Sequence, residues 1–314
     1  MDVDHETCAG TAPARSQDRP RQRDEHEKET VMAKILVTGA TGHTGSGIVP
    51  GLLAKGQQVR ALVRDPAKAQ ALQDAGAEIV VGDLDKPEKL AAAVSGVDKI
   101  YLVTWNGPTA EQQRKNVVTA AARAGKPHVV VGGAMGSEKS RIVQQIDAAN
   151  EALKASGLPW TILQPTFFMQ NVMAAIPTIA KGAVYWDLGD GKVGMIDVRD
   201  IVDSAVAVLT GAGHEGQTYD LTGPAAISFH DVAATLSRVL GREVTYTAVP
   251  TAAAKDSLVS MGYPEWIADG FGELMAEFAN NWGNRTTDNV QKLTGHPPRS
   301  FEQFVTDFKA AFAG

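Results

Sequence analysis

Three glycines, spaced as Gly39-x-x-Gly42-x-x-Gly45, form the first pattern in this chain that points to chemistry. They follow the apolar run Ile35, Leu36 and Val37, and they precede Ile48, Val49, Leu52 and Leu53, which recur at helical spacing. A strand, a glycine turn and a helix in that order make an anion site. The helix start presents free N–H groups and the positive end of its dipole. Gly39 permits the sharp turn, Gly42 lets a pyrophosphate approach the backbone without meeting a Cβ, and Gly45 lets the helix pack closely on the strand. The spacing departs from the G-x-G-x-x-G dinucleotide fingerprint, so the glycines alone leave an ordinary strand-to-helix turn as the alternative.

The next candidate is a cation. Residues 58–63 read as a second strand that ends in Arg64-Asp65-Pro66. In an NAD-binding unit a carboxylate about 20 residues past the glycines holds the ribose 2′-hydroxyl. Arg64 at that strand end suits a 2′-phosphate instead, which favours NADP(H), while Asp65 beside it keeps NAD(H) possible. Arg60 is a second possible contact, with solvated surface as the alternative. A strand over 99–103 should bring Val103 and Thr104 to the cofactor's ribose at the carboxyl edge of a parallel sheet. Trp105, next along, is either a pocket wall or plain packing.

These side chains need elements to hold them. Strand-like runs over 35–37, 58–63, 78–82, 99–103, 128–131 and 159–164 alternate with helical stretches, among them 67–75, 90–94 and 116–124. That alternation implies an α/β fold, a Rossmann-like doubly wound parallel sheet. The expected domains are residues 32–165 as an NAD(P)-binding Rossmann domain, and 166–314 as a segment that completes the sheet and forms a smaller C-terminal substrate lobe. Within that lobe, 184–195 reads as a hairpin with its turn at Gly189-Asp190-Gly191. Asp200 is expected to cap a helix over 201–209, and Ser228 one over 229–240.

Residues 1–31 differ from the rest. They are crowded with Asp, Glu, Arg and Gln and nearly lack large apolar side chains, so the expectation is a disordered N-terminal leader. The single cysteine, Cys8, excludes an intrachain disulfide framework. A formal net charge of −6 argues against nucleic acid as the main partner. No apolar run approaches the length of about 18 residues that a membrane span requires, and no secretory core is visible, so the expected location is cytoplasmic. His43, His128, His214, His230 and His296 lack the paired spacing of a zinc helix, and no metal site is expected. No G-x-S-x-G elbow supports a nucleophilic triad.

The segment TGATGHTG, residues 38–45, resembles the cofactor loop of the extended and atypical short-chain dehydrogenase/reductases, in particular their NmrA-like branch. That resemblance implies that Thr41, His43 and Thr44 join the glycines at the cofactor. Gly82-Asp83-Leu84-Asp85 resembles the family's turn beside the adenine, with Asp83 and Leu84 at the cofactor; the alternative for Asp83 is an N-cap of the following helix. Gln164-Pro165-Thr166-Phe167-Phe168-Met169-Gln170-Asn171 resembles the family's R-P-x-x-F-x-x-N segment, with Gln164 in place of the commoner Arg. It implies that Pro165 and Phe167 lie against the nicotinamide and that Phe168 and Asn171 lie near the substrate, one of the two phenylalanines being core. After the fifth strand, Gly133 is expected at the cofactor and Met135 in the substrate pocket. The similarity runs over about residues 33–310, including a closing motif from Asn289 to Phe301.

One family feature is missing. Catalytic relatives carry Tyr-x-x-x-Lys, in which Tyr donates a proton and Lys lowers its pKa. The five tyrosines, Tyr101, Tyr185, Tyr219, Tyr246 and Tyr263, are followed four positions on by Trp105, Gly189, Gly223, Pro250 and Ile267. Val143 and Asp147 stand where the pair is expected. The resemblance thus implies a flavin-free oxidoreductase that passes a hydride from NADPH to a quinone-like, azo or enone acceptor able to take its proton from water. Trp105, Phe167, Phe168 and Trp186 would form a pocket for a flat substrate. The alternative is an NmrA-like NAD(P) redox sensor that binds cofactor without turnover and regulates a protein partner.

Overall fold

The computed structural model describes residues 32–313, so the expected leader and Cys8 lie outside the described residues. Nine strands occur among them: β1 (Lys34–Val37), β2 (Gln58–Val63), β3 (Glu78–Val81), β4 (Lys99–Leu102), β5 (His128–Gly132), β6 (Trp160–Pro165), β7 (Ala183–Trp186), β8 (Gln217–Leu221) and β9 (Thr245–Ala248). The first helices are α1 (Gly45–Ala54), α2 (Gln70–Asp74), α3 (Leu90–Val94), α4 (Ala110–Arg123), α5 (Arg141–Ala155), α6 (Ile176–Ile179) and α7 (Val198–Thr210). Then follow α8 (Phe229–Leu240), α9 (Thr251–Ser260), α10 (Glu265–Ala279), α11 (Asn289–Thr294), α12 (Phe301–Asp307) and α13 (Lys309–Ala313).

Seven strands form one parallel sheet in the order β3-β2-β1-β4-β5-β6-β8. Its central strands are apolar on both faces, as a sheet covered by helices on each side demands. Ile35 and Val37 of β1, Tyr101 of β4 and Val130 of β5 share one core with residues of α1 and α7. Leu36, Ile100, Leu102, Val129 and Val131 point to the other core, with α3, α4 and α5. On the first face α1 and α7 touch nearly backbone to side chain: a Cβ on Gly47 would lie 2.9 Å from Val202, and one on Gly51 3.0 Å from Val206.

A third core belongs to the C-terminal lobe, where Phe229, Phe278, Phe304 and Phe312 are fully buried. Its small sheet corrects one expectation. Residues 184–195 are not a hairpin, because β7 pairs in parallel with β9, from a distant part of the chain. The turn itself exists, with Gly189 at φ +53°. Beyond it Val193 pairs with Ile227, and Gly194 N donates to Gly283 O (3.1 Å), so the returning segment finds other partners.

Three further expectations change. Helix α4 begins at Ala110, six residues before 116, because its polar first turns carry little apolar signal. Helix α7 is capped by Asp197, whose Oδ1 accepts from Arg199 N at 2.9 Å. Asp200 lies inside that helix, fully buried, and accepts from Arg299 N at 2.7 Å. Arg60 is buried rather than solvated; it pairs with Glu78 (3.0 Å) and donates to the carbonyls of Ala92, Ala93 and Ser95. Ser228 does cap α8, in a reciprocal box with Asp231. No helix among the described residues is long and apolar enough to cross a membrane.

Candidate functional site

The strand order reverses between β1 and β4, and open α/β sheets bind ligands at the carboxyl ends flanking such a switch point. Thr38 fixes the two ends together: its Oγ1 donates to Val103 O (2.8 Å) and accepts from Val103 N (2.9 Å). The glycine loop follows at once. Gly39 has φ +57°, and a Cβ there would lie 2.7 Å from Val103 Cγ1. Gly42 N donates to Gly39 O at 2.9 Å and closes the turn. A Cβ on Gly45 would come within 2.2 Å of Gly39 O, so α1 starts against the loop only because that atom is absent.

Gly39, Thr41, Gly42 and His43 are exposed, while Thr44 and Gly45 are buried. The loop therefore offers open backbone outward and packs its inner side on the sheet. This cradle, which side chains would fill, fits the pyrophosphate of a dinucleotide at the start of α1. At the end of β2, Arg64 is exposed and has no hydrogen-bond or ion-pair partner among the described residues. Its neighbour Asp65 is engaged, with Oδ1 accepting from Ala67 N at 3.0 Å. Asp83 accepts from Asp85 N (3.1 Å) and so closes its own turn, while Lys86 precedes the next helical turn. Leu84 is half-buried, and its carbonyl accepts from Asn116 Nδ2 at 2.8 Å.

A second feature lies past β5, where the loop prolongs the β5–β6 ladder. Gly133 N donates to Leu163 O and Met135 N to Pro165 O, both at 2.8 Å. Against this loop is a cleft of about 190 Å³. Met135 and Gln164 form its sheet side, and α5 contributes Val143 and Asp147, the residues at the expected Tyr and Lys positions. Asp220, Trp282 and Arg285 face them. Arg285 stacks over the Trp282 ring at 4.1 Å, and its Nε donates to Trp282 O. Asp147 is exposed as a residue, but partial desolvation of its carboxyl raises it above its ordinary pKa, against the opposing charge of Lys154. Burial also raises Asp220, against Arg285.

Helix α10 clamps this loop from the other side. Arg141 Nε donates to Glu273 Oε1 (2.8 Å), and Arg141 N donates to Glu273 Oε2 (2.8 Å). Ser137 Oγ donates to Glu277 (2.9 Å) and Ser140 Oγ to Gly270 O (3.2 Å).

The structure separates the expected aromatic residues. Phe167 and Trp186 pack edge to face (5.5 Å), and Trp186 stacks on Phe229 (4.9 Å) within the lobe's core. Neither lines the cleft, so the flat pocket expected from Trp186 and Phe167 does not form there. Phe168 is half-buried against the sheet core, and Asn171 is exposed. Trp105 is 63% exposed, stacks on Tyr263 (6.2 Å, 12° between planes) and does not line this cleft. Sequence reasoning missed Asp220, Trp282 and Arg285. Asp220 stands in the stretch that resembles the last family strand, where nothing marks it as a site residue, and the other two reach the cleft through the packing of the segment that follows α10.

One acid–histidine constellation assembles, Asp200, Asp203 and His296. Arg299 already supplies its cation, paired with Asp200 and with Asp203 (2.9 Å).

The comparisons agree with this geometry. The chain is 42% identical over 282 residues to an NAD(P)H azoreductase of Xenophilus azovorans, covering 88% of this chain and 99% of that protein. An NADPH-dependent quinone oxidoreductase from Escherichia coli, solved with NADPH, superposes with a TM-score of 0.81 at 28% identity, covering 88% of this chain and 99% of that one. The Citrobacter sp. triphenylmethane reductase complexed with NADP(H) gives 0.78 at 30% identity, covering 87% and 99%. The sequence pattern of the NmrA-like family matches residues 32–305, so the glycine cradle, the sheet and the lobe above it together place this chain in the NmrA-like family.

Proposed function

We propose that this protein is an NADPH-dependent oxidoreductase that reduces quinone-like, azo or enone small molecules by direct hydride transfer. The carrying observation is the adjacency of two features at one sheet edge: the open glycine cradle after β1, and the cleft beside β5 and β6 that holds Val143 and Asp147 in place of a Tyr-Lys pair. The azoreductase and quinone oxidoreductase relatives support the acceptor class. NADPH, when bound, supplies the hydride. The chain's residues do the rest. The loop from Gly39 to Gly45 holds the pyrophosphate, and the unpaired Arg64 receives the 2′-phosphate. Thr104, Gly133 and Pro165 shape the floor at the reacting end. Met135, Val143 and Trp282 offer apolar surface to an acceptor, and Gln164 offers an amide. Val143 has no proton to give, so the reduced acceptor takes its proton from water that reaches the exposed Asp147 and Arg285.

The test is loss of NADPH absorbance with a panel of quinones, azo dyes and enones. Steady turnover on any member supports the enzyme and narrows the acceptor. One observation favours the redox-sensor reading instead: Trp105, Val259, Met261 and Tyr263 are exposed apolar side chains near one another in the α9–α10 region, a surface that a protein partner would cover. NADPH binding without turnover on the whole panel would move the assignment there.

A further inference from the structure

Among the described residues two arginines are buried, and only one of them is answered by a carboxylate. Arg60 has a carboxylate, Glu78, at 3.0 Å and three carbonyls around its Nη1. Arg114, on α4, is 2% exposed and pairs with no carboxylate among the described residues. Its Nε donates to Thr104 Oγ1 (3.1 Å) and its Nη2 to Gly132 O (3.0 Å). Its Nη1 is buried with no hydrogen-bond partner. Burial lowers the guanidinium pKa to about 10, which leaves it charged at neutral pH. A buried cation without a countercharge destabilises a fold, and native chains keep such groups where something pairs with them.

The surroundings show where that partner belongs. Thr104 lies two residues past the end of β4 and Gly132 ends β5, both at the carboxyl edge of the sheet, beside Val103 and Gly133. Tyr101 is fully buried with its hydroxyl beside Gly132, whose carbonyl takes the Arg114 hydrogen bond, and that hydroxyl donates to Thr44 Oγ1 (3.3 Å) at the start of α1. A Cβ on Gly132 would lie 2.6 Å from the Tyr101 hydroxyl, so the chain keeps a glycine where this link passes. The guanidinium is thus connected, through one buried ring, to the anion cradle.

We propose that Arg114 is the internal countercharge of the dinucleotide: a positioning residue beneath the sheet edge that orients Thr104 and Gly132 and whose charge is answered only when the anionic cofactor binds. The inference rests on the dinucleotide reading and is independent of which acceptor is reduced.

The experiment compares Arg114→Met and Arg114→Lys in the full chain, measuring the melting temperature without cofactor and the NADPH dissociation constant by fluorescence titration. For Arg114→Met we expect an unchanged or higher melting temperature and at least about a tenfold weaker NADPH affinity. Arg114→Lys, which keeps the charge and loses the fork, should hold NADPH within about threefold of the parent. A scaffold role gives the opposite sign: a lower cofactor-free melting temperature in Arg114→Met, with NADPH affinity within about twofold, overturns the proposal. If Arg114→Met fails to fold, Arg114→Lys decides, since a tenfold loss of affinity in a variant that melts like the parent overturns the countercharge. Absence of NADPH binding by the parent itself defeats the dinucleotide reading instead.

Discussion

The glycine cradle after β1 and the cleft beside β5 and β6 share one sheet edge but are built in opposite ways. The cradle is local. Residues 35–45 contain the strand, the positive-φ glycine and the helix start, and Thr38 fixes that unit to the neighbouring strand end through Val103. The cleft is assembled from parts far apart in the chain: the loop after β5, a face of α5, the end of β8, and Trp282 with Arg285 beyond α10. Its loop is held by backbone bonds to β6 at its start and by side-chain contacts to α10 further on. A short local unit keeps its shape by itself, whereas a cleft lined by separate segments can change piece by piece.

The comparison predicts that damage to the cradle abolishes binding outright, whereas damage to the cleft only weakens it. The largest effect is expected for Gly42→Val. The new side chain would crowd Gly39 O, 3.2 Å from the Cβ, and fill the space of the pyrophosphate. NADPH affinity should fall by about a hundredfold or more with the fold retained, read by titration and circular dichroism. Unchanged affinity would break the assignment of the cradle. Arg64→Ala comes next, with a loss of about ten- to a hundredfold for NADPH, equivalent to about 1.5–3 kcal/mol from one charge-assisted contact. NADH should be unaffected, and an equal loss for both would remove the 2′-phosphate from Arg64.

On the cleft side, Glu273→Gln weakens the clamp on Arg141. The acceptor KM should rise by about threefold while the NADPH dissociation constant stays put, as a partly exposed ion pair warrants. A matching change in NADPH affinity would show that the two regions are mechanically one. The smallest effect belongs to Asp147. Its carboxyl pKa is raised by partial desolvation, so the folded state holds the proton more tightly than the unfolded state and loses stability as pH rises through that pKa. Asp147→Asn should therefore melt higher at neutral pH, by about 1 °C or less, and should match the parent once pH falls below the ordinary carboxylate range. A gain that persists in acid would point to packing rather than charge.

Each region was legible in proportion to how local it is. The glycine spacing, the alternating strands and Arg64 at a strand end could be read directly, because strand, turn and helix preferences act over a few residues. The start of the helix that carries Arg114 has no apolar signal, because its first turns, Ala110 to Lys115, are mostly polar and their buried members are a small alanine and an arginine. Trp186 has the residue type of a pocket wall, yet its face is taken by Phe229, a neighbour that no spacing announces.

By itself, then, the sequence determined the parallel sheet, the anion cradle after its first strand and the absence of a Tyr-Lys pair, all properties of contiguous residues. Only the tertiary structure decided which aromatics become core, that Trp282 and Arg285 past α10 line the cleft, that Asp200 answers Arg299, and that Arg114 is left without a carboxylate among the described residues. The physical reason is that burial and charge pairing depend on residues brought together from across the chain, and local propensity carries no record of those partners.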